Sequence, residues 1–245
     1  MRRKTLTIIL TCLIILLATA CGNEKKQEKA TQKAPEPQQE QTETRQAQEG
    51  TEEVEKQGKE ETAESKALAV YFSRVGNTEF PEDIDVISSA SLNTEAATLK
   101  GNAQLIAEYI AEEAGCDTFE IVTRDPYPVD YNETVDQARD EQSEEKRPEL
   151  KNTLENLDIY DTIYLVMPNW WGDLPMPVYS FLDQYDLTGK TVNVFVTHEG
   201  SGFSGIVDTV RKLEPEAKFN EALAISGSSV SDEEENVRNW VKENN

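Results

Sequence analysis

The pattern of apolar and polar positions divides the chain at about residue 66. Beyond it, Ala67-Leu68-Ala69-Val70-Tyr71-Phe72 and Thr162-Ile163-Tyr164-Leu165-Val166-Met167 are continuous, largely apolar runs, and Thr191 to Thr197 is a third strong strand. Such runs belong to strands buried on both faces. Thr118 to Val122 alternates instead, with Phe119 and Ile121 on one side, which fits an edge strand; Phe219 to Ser226 reads as the last strand. Helical spacing fills the gaps. Leu105, Ile106, Tyr109 and Ile110 share one face of a helix over 102–114 that Gly115 stops. A polar helix runs from Tyr131 to about Lys146, and Val178, Phe181, Leu182 and Tyr185 point inward from a helix over 175–185. Ser204 to Leu213 is a helix stopped by Pro215. A last helix spans 231–243 behind a capping box of Ser231 and Glu234, with Val237, Trp240 and Val241 on one stripe.

Five strands alternating with five helices predict an α/β fold, a parallel sheet covered on both faces. Ligands of such sheets sit outside the carboxyl ends of the strands, where the strand order reverses. The loops after the first, third and fourth strands are therefore where chemistry is expected.

Upstream the pattern means something else. Arg2, Arg3 and Lys4 precede an apolar run from Leu6 to Leu17, followed by Ala18, Thr19, Ala20 and Cys21. Basic, apolar, small is the order of a secretory signal peptide, and the run is shorter than the ~18–20 residues a spanning helix needs. Leu-Ala-Thr-Ala-Cys resembles the lipobox of bacterial lipoproteins. That resemblance implies a signal peptide over 1–20, a lipidated Cys21 and a lipid-anchored protein on the extracytoplasmic face of the cell membrane. Between Asn23 and Ser65 the only strongly apolar residue is Val54. Such a stretch cannot offset its ordering entropy, so residues 21–65 read as a disordered charged tether and residues 66–245 as the folded domain.

Charge narrows the function classes. The chain carries 47 acidic and 24 basic residues, a net of −23. This argues against nucleic acid, or an anionic surface, as a partner of a basic patch. Of these residues, 35 acidic and 14 basic fall within 66–245, so the acidity belongs chiefly to the domain. Three cysteines do not make a disulfide framework. No histidine–cysteine–carboxylate cluster indicates a metal site, and nothing specifies a catalytic triad.

Three loops remain. Ser73-Arg74-Val75-Gly76-Asn77-Thr78 follows the first strand; its backbone can curl around a phosphate while Ser73 and Thr78 add hydroxyl donors. It is neither a Walker loop nor a G-x-G-x-x-G fingerprint. Pro168-Asn169-Trp170-Trp171-Gly172 follows the third strand and holds two of the three tryptophans, which stacking on a flat aromatic ligand explains. Thr197-His198-Glu199-Gly200-Ser201-Gly202-Phe203 follows the fourth, and its glycines let backbone approach a ligand. His198 either donates to a ligand or caps the strand.

Taken in order, these three loops resemble the flavin-binding loops of flavodoxin-like proteins, as do Asp130-Tyr131 and Arg147-Pro148-Glu149-Leu150. The resemblance covers about residues 66–245. It implies a flavodoxin-like three-layer sandwich, a five-stranded parallel sheet in order 2-1-3-4-5, one non-covalent FMN and electron transfer. By position, Ser73, Arg74, Gly76, Asn77 and Thr78 would hold the phosphate. Pro168, Asn169, Trp170, Trp171 and Gly172 would border the ring. Thr197, His198, Gly200, Ser201, Gly202 and Phe203 would contact its edge or other face. The sequence departs from the family at Glu79–Lys100, which separates the phosphate loop from the first helix. Either that helix restarts at Gly101-Asn102 after an excursion, or the phosphate site is rebuilt with Asn102 in place of Thr78.

A negative field, with Asp173 and Glu199 in the ring loops, would disfavour a negatively charged reduced flavin. That predicts a low potential and electron donation to a redox partner protein or small acceptor. Two other readings stay open: an NAD(P)H-dependent flavin or quinone reductase, and a non-catalytic tethered binding module on the same fold.

Overall fold

The computed structural model describes residues 66–81, 90–93 and 99–244. The leader, Cys21 and the tether lie outside the described residues, as do positions 82–89 and 94–98 of the inserted segment.

The apolar runs form strands β1 (Ala67–Tyr71), β4 (Asp117–Glu120), β5 (Thr162–Pro168) and β6 (Thr191–His198), with β2, β3, β7 and β8 described below. All pairings in the main sheet are parallel, and the order begins β4-β1-β5-β6. Successive side chains of a strand point to opposite faces. Leu68, Val70, Ile163, Leu165, Met167, Val192, Val194 and Val196 therefore enter one core. Helices α3 (Met176–Gln184) and α4 (Ile206–Leu213) close that core with Val178, Phe181, Ile206 and Val210. Ala69, Tyr164, Val166 and Phe195 enter the opposite core, beneath α1 (Asn102–Ala114) and α5 (Glu234–Asn244). This is the three-layer α/β sandwich with the expected strand order, and β1 and β5 flank the point where that order reverses. Helix α2 (Tyr131–Ser143) starts where expected, with the Asp130 carboxylate accepting from the Glu133 N–H at 3.0 Å, and lies beside α3.

Three local expectations are corrected. The last strand is split: β7 (Lys218–Phe219) pairs beside Thr191 and Val192, and β8 (Leu223–Ser226) beside Phe195–His198. The break falls at Asn220, whose Nδ2 donates to Asn193 Oδ1 at 3.0 Å, so a side-chain bond replaces the ladder there. The capping box of Ser231 and Glu234 does not form; α5 opens at Glu234, and the Ser231 hydroxyl accepts from Asn93 Nδ2 at 3.1 Å. Helix α4 begins at Ile206 rather than Ser204.

The inserted segment ends in an antiparallel pair, β2 (Leu92–Asn93) and β3 (Lys100–Gly101), which leads directly into α1. The first helix thus restarts at Gly101-Asn102. Its first residue bonds this segment twice: Asn102 N–H donates to Ser91 O at 3.2 Å, and Asn102 Nδ2 to Leu92 O at 3.3 Å. Gly101 touches the loop after β1 so closely that a Cβ there would overlap the Ser73 hydroxyl and lie 2.9 Å from Ser73 Cβ.

That contact yields a prediction. Gly101→Ala should destabilise the fold by about 1–3 kcal/mol, the usual range for overpacking a fixed neighbour. Gly76→Ala should lose clearly less, because the atoms it meets are the carboxylate end of Glu120, which can swing away. Urea midpoints of the two variants check this; equal losses would contradict it.

Candidate functional site

The loops that leave β1, β5 and β6 meet at the switch point and, with α2, enclose a cleft of about 470 Å³. Ligand sites commonly span roughly 300–1,000 Å³.

The loop after β5 is a tight turn. Trp170 and Asp173 exchange both backbone hydrogen bonds, at 3.0 and 3.1 Å, around Trp171 and Gly172. Both central residues have positive φ, 56° and 79°, as in a type I′ turn. Glycine takes this conformation readily, whereas a tryptophan in the left-handed region costs roughly 1–2 kcal/mol. Contacts offset that strain: Trp171 Nε1 donates to Val135 O at 3.0 Å, and Arg139 lies 5.8 Å over its ring. The indole stands 51% exposed at the mouth of the cleft. Trp170 turns inward instead. Its ring meets Phe72 and Tyr127 edge-on at 5.2 and 5.3 Å, and its Nε1 donates to the Ser91 hydroxyl at 2.9 Å. The cleft is therefore bounded by one seated and one exposed indole.

Asn169 couples this turn to the loop after β6. Its Oδ1 accepts from Gly172 N–H at 2.9 Å, while its Nδ2 donates to Gly202 O at 2.9 Å and Ser204 Oγ at 3.0 Å. In that second loop Ser201 and Glu199 line the cleft. His198 caps the turn: its Nδ1 accepts from Gly200 N–H at 3.0 Å. Thr197 is fully buried and donates its hydroxyl to Ala90 O at 2.6 Å. Pro168 closes β5, and Phe203 packs on the core. Of the two acidic residues singled out for the ring loops, Asp173 is engaged in the protein. Its carboxylate accepts from Tyr179 OH at 2.9 Å and Leu174 N–H at 2.8 Å, and burial, then Asp173, pushes the Tyr179 phenol up. Among the described residues, Glu199 is the carboxylate that lines the cleft.

The loop after β1 makes a short 3-10 turn over Val75–Asn77. Asn77 anchors it. Nδ2 donates to Ser73 O at 2.8 Å and Ile121 O at 2.9 Å, and Oδ1 accepts from Thr123 N–H at 2.7 Å and Thr123 Oγ1 at 3.0 Å. Its amide is fully committed within the protein. Ser73 is buried, and its hydroxyl accepts from Val75 N–H at 3.2 Å. Gly76 lies under the carboxylate of Glu120, whose pKa burial raises and a Tyr71 hydrogen bond lowers. Two buried polar atoms of this loop have no partner: Thr78 Oγ1 and Arg74 Nε. Of the five loop residues assigned to a phosphate, Arg74 is the one that lines the cleft. Asn102, the alternative phosphate-facing residue, is fully buried and bonded to the inserted segment.

Two walls of the cleft were missed in sequence. Tyr131, Thr134, Val135 and Ala138 form one, on α2, and Ala90 with Ser91 forms the other. The first had a legible signal, since these residues share one face of an otherwise polar helix at i, i+3, i+4 and i+7. The second had none, because the inserted segment carries no pattern that tells where it crosses the sheet. Among the described residues no cluster of metal-ligating side chains occurs. Burial pushes the Cys116 thiol up to about 11, which disfavours its thiolate at neutral pH.

The sequence profile of flavodoxins matches residues 95–244, more than half of the chain. The chain belongs to the flavodoxin family. A protein assigned as a flavoprotein from Bacteroides uniformis ATCC 8492 is similar at 26% identity and TM-score 0.55, covering 73% of this chain and 98% of its own. Another from Bacteroides eggerthii DSM 20697 is similar at 25% identity and TM-score 0.55, covering 73% and 96%. A flavoprotein from Lactobacillus acidophilus NCFM, solved in complex with FMN, is similar at 22% identity and TM-score 0.49, covering 70% and 99%. A search of curated protein sequences returned no match. The profile begins at residue 95, so the Ser73–Thr78 loop lies outside the matched stretch; in the fold, that loop nevertheless stands beside the start of α1.

Proposed function

We propose that this flavodoxin-family chain binds one FMN in the cleft at the switch point and transfers electrons from it, tethered to the outer face of the cytoplasmic membrane through Cys21. The cleft itself carries the reading. It has an aromatic mouth and floor at the carboxyl edge of a parallel sheet, and one of its lining residues, Arg74, keeps a buried Nε without a partner. The residues fit a flavin. In this reading Trp170, Trp171, Asn169, Gly172 and Ser201, which line the cleft, border the ring.

When bound, the flavin would supply the redox chemistry. The protein's part is to orient, to exclude water and to set the local field. Asn169 fixes the spacing of the two ring loops by bonding both at once. Ser91 holds the Trp170 indole in its seat. Glu199 places negative charge on the cleft wall, in a domain already acidic throughout, which opposes charge on a reduced ring. Low potential and electron donation to a redox partner protein or small acceptor follow from that field.

Two measurements check the reading. The purified chain mixed with excess FMN and passed through gel filtration should retain about one equivalent, with a visible spectrum shifted from that of free FMN. A colourless eluate would favour a non-catalytic module. For the anchor, full-length chain should partition with membranes and Cys21→Ser should be released to the soluble fraction; equal partitioning of the two would contradict lipidation at Cys21.

A further inference from the structure

Arg74 is 3% exposed, yet it lines the cleft. Its Nη2 donates to Pro128 O at 3.1 Å, Val129 O at 2.9 Å and Thr134 Oγ1 at 3.1 Å, and its guanidinium lies 5.1 Å over the Phe80 ring. These partners orient the group without neutralising it. Among the described residues no carboxylate forms an ion pair with it; the Asp130 backbone carbonyl is a further, longer acceptor at 3.5 Å, and the Asp130 carboxylate and Tyr131 phenol act through space. Its Nε is buried without a partner. A buried charge is expensive unless paired, so a lone guanidinium facing a cleft is a receptor for negative charge.

Two parts of a bound flavin carry negative charge: the phosphate always, and the ring system once reduced. The placement of Arg74 decides between them. It lines the same cleft as the two indoles and is held by Val129 and Thr134 at the start of α2, the helix that forms the wall proposed for the ring. Ser73, Gly76, Asn77 and Thr78 of the same loop do not line the cleft. We propose that Arg74 is the ring's counter-charge and not a phosphate ligand: it binds the reduced flavin ring more tightly than the oxidised one and so opposes Glu199. This rests on the FMN reading above. Among the described residues, it makes the potential of the cleft a balance between the Arg74 cation and the Glu199 carboxylate, with Arg74 tuning the cofactor without taking part in bond-making.

Riboflavin lacks the phosphate and separates the two roles. Dissociation constants for FMN and riboflavin, and midpoint potentials, would be measured on the purified wild-type chain, Arg74→Gln and Arg74→Lys. For Arg74→Gln both flavins should weaken by the same factor, and the reduced forms should weaken further. Each additional tenfold loss for the reduced form lowers a two-electron midpoint by about 30 mV. Arg74→Lys keeps the charge and should hold the wild-type FMN-to-riboflavin ratio, with a potential above that of Arg74→Gln. If Arg74→Gln fails to fold, Arg74→Lys decides: a selective loss of FMN in it overturns the proposal. A selective loss of FMN in Arg74→Gln, or an unchanged potential, also overturns it. Wild type that binds neither flavin would overturn the FMN reading itself, an outcome visible before any variant is made.

Discussion

A parallel sheet buried on both faces ends abruptly at its carboxyl edge, and the backbone leaving it must find hydrogen-bond partners in a place where little water reaches. In this protein two asparagines meet that demand. Asn77 pins the loop after β1 to the segment after β4, and Asn169 pins the loop after β5 to the loop after β6. With the strand ends tied in pairs, the space between them stays open as a cleft. Trp170 can then sit against Phe72 and Tyr127, and Trp171 can hold a strained backbone conformation at the mouth. The loops of the site are braced to one another and not only to the sheet.

The inserted segment completes this arrangement. Ala90 accepts from Thr197 at the end of β6, Ser91 bonds Trp170 after β5, and both Ser91 and Leu92 accept from Asn102 at the start of α1. Those few residues touch three separate elements of the carboxyl edge. The first N–H of α1 and the Asn102 side-chain amide thus donate to backbone carbonyls of the inserted segment. Among the described residues that line the cleft, the charged ones are Arg74 and Glu199. Asp173, equally acidic in sequence, is occupied by Tyr179 and by its own turn.

The layered fold was legible because burial on both faces writes itself as unbroken apolar runs. β1, β5 and β6 fall within a residue or so of where those runs predict, and α1 lies between its expected ends. The last strand was less legible, since Asn220 substitutes a side-chain bond for ladder bonds and splits it. In the site, residue types pointed to the right loops, but not to which atoms remain available. Asn77 and Arg74 both look like ligands in a loop sequence; only the three-dimensional partners show the Asn77 amide filled and the Arg74 Nε unfilled. Ser91 was invisible because its role depends on a long-range bond to an indole 79 positions away in the chain.

The central claim is that the cleft between Trp170 and Trp171 receives the flavin. The three indole N–H signals of the 15N-labelled protein test it directly. Trp240 packs on the far face of the sheet, against Tyr164 and Phe195, and serves as the internal control. On titration with FMN the Trp170 and Trp171 signals should shift together and saturate at one equivalent, with Trp240 unmoved. Saturable binding that leaves both cleft indoles unshifted would contradict the account.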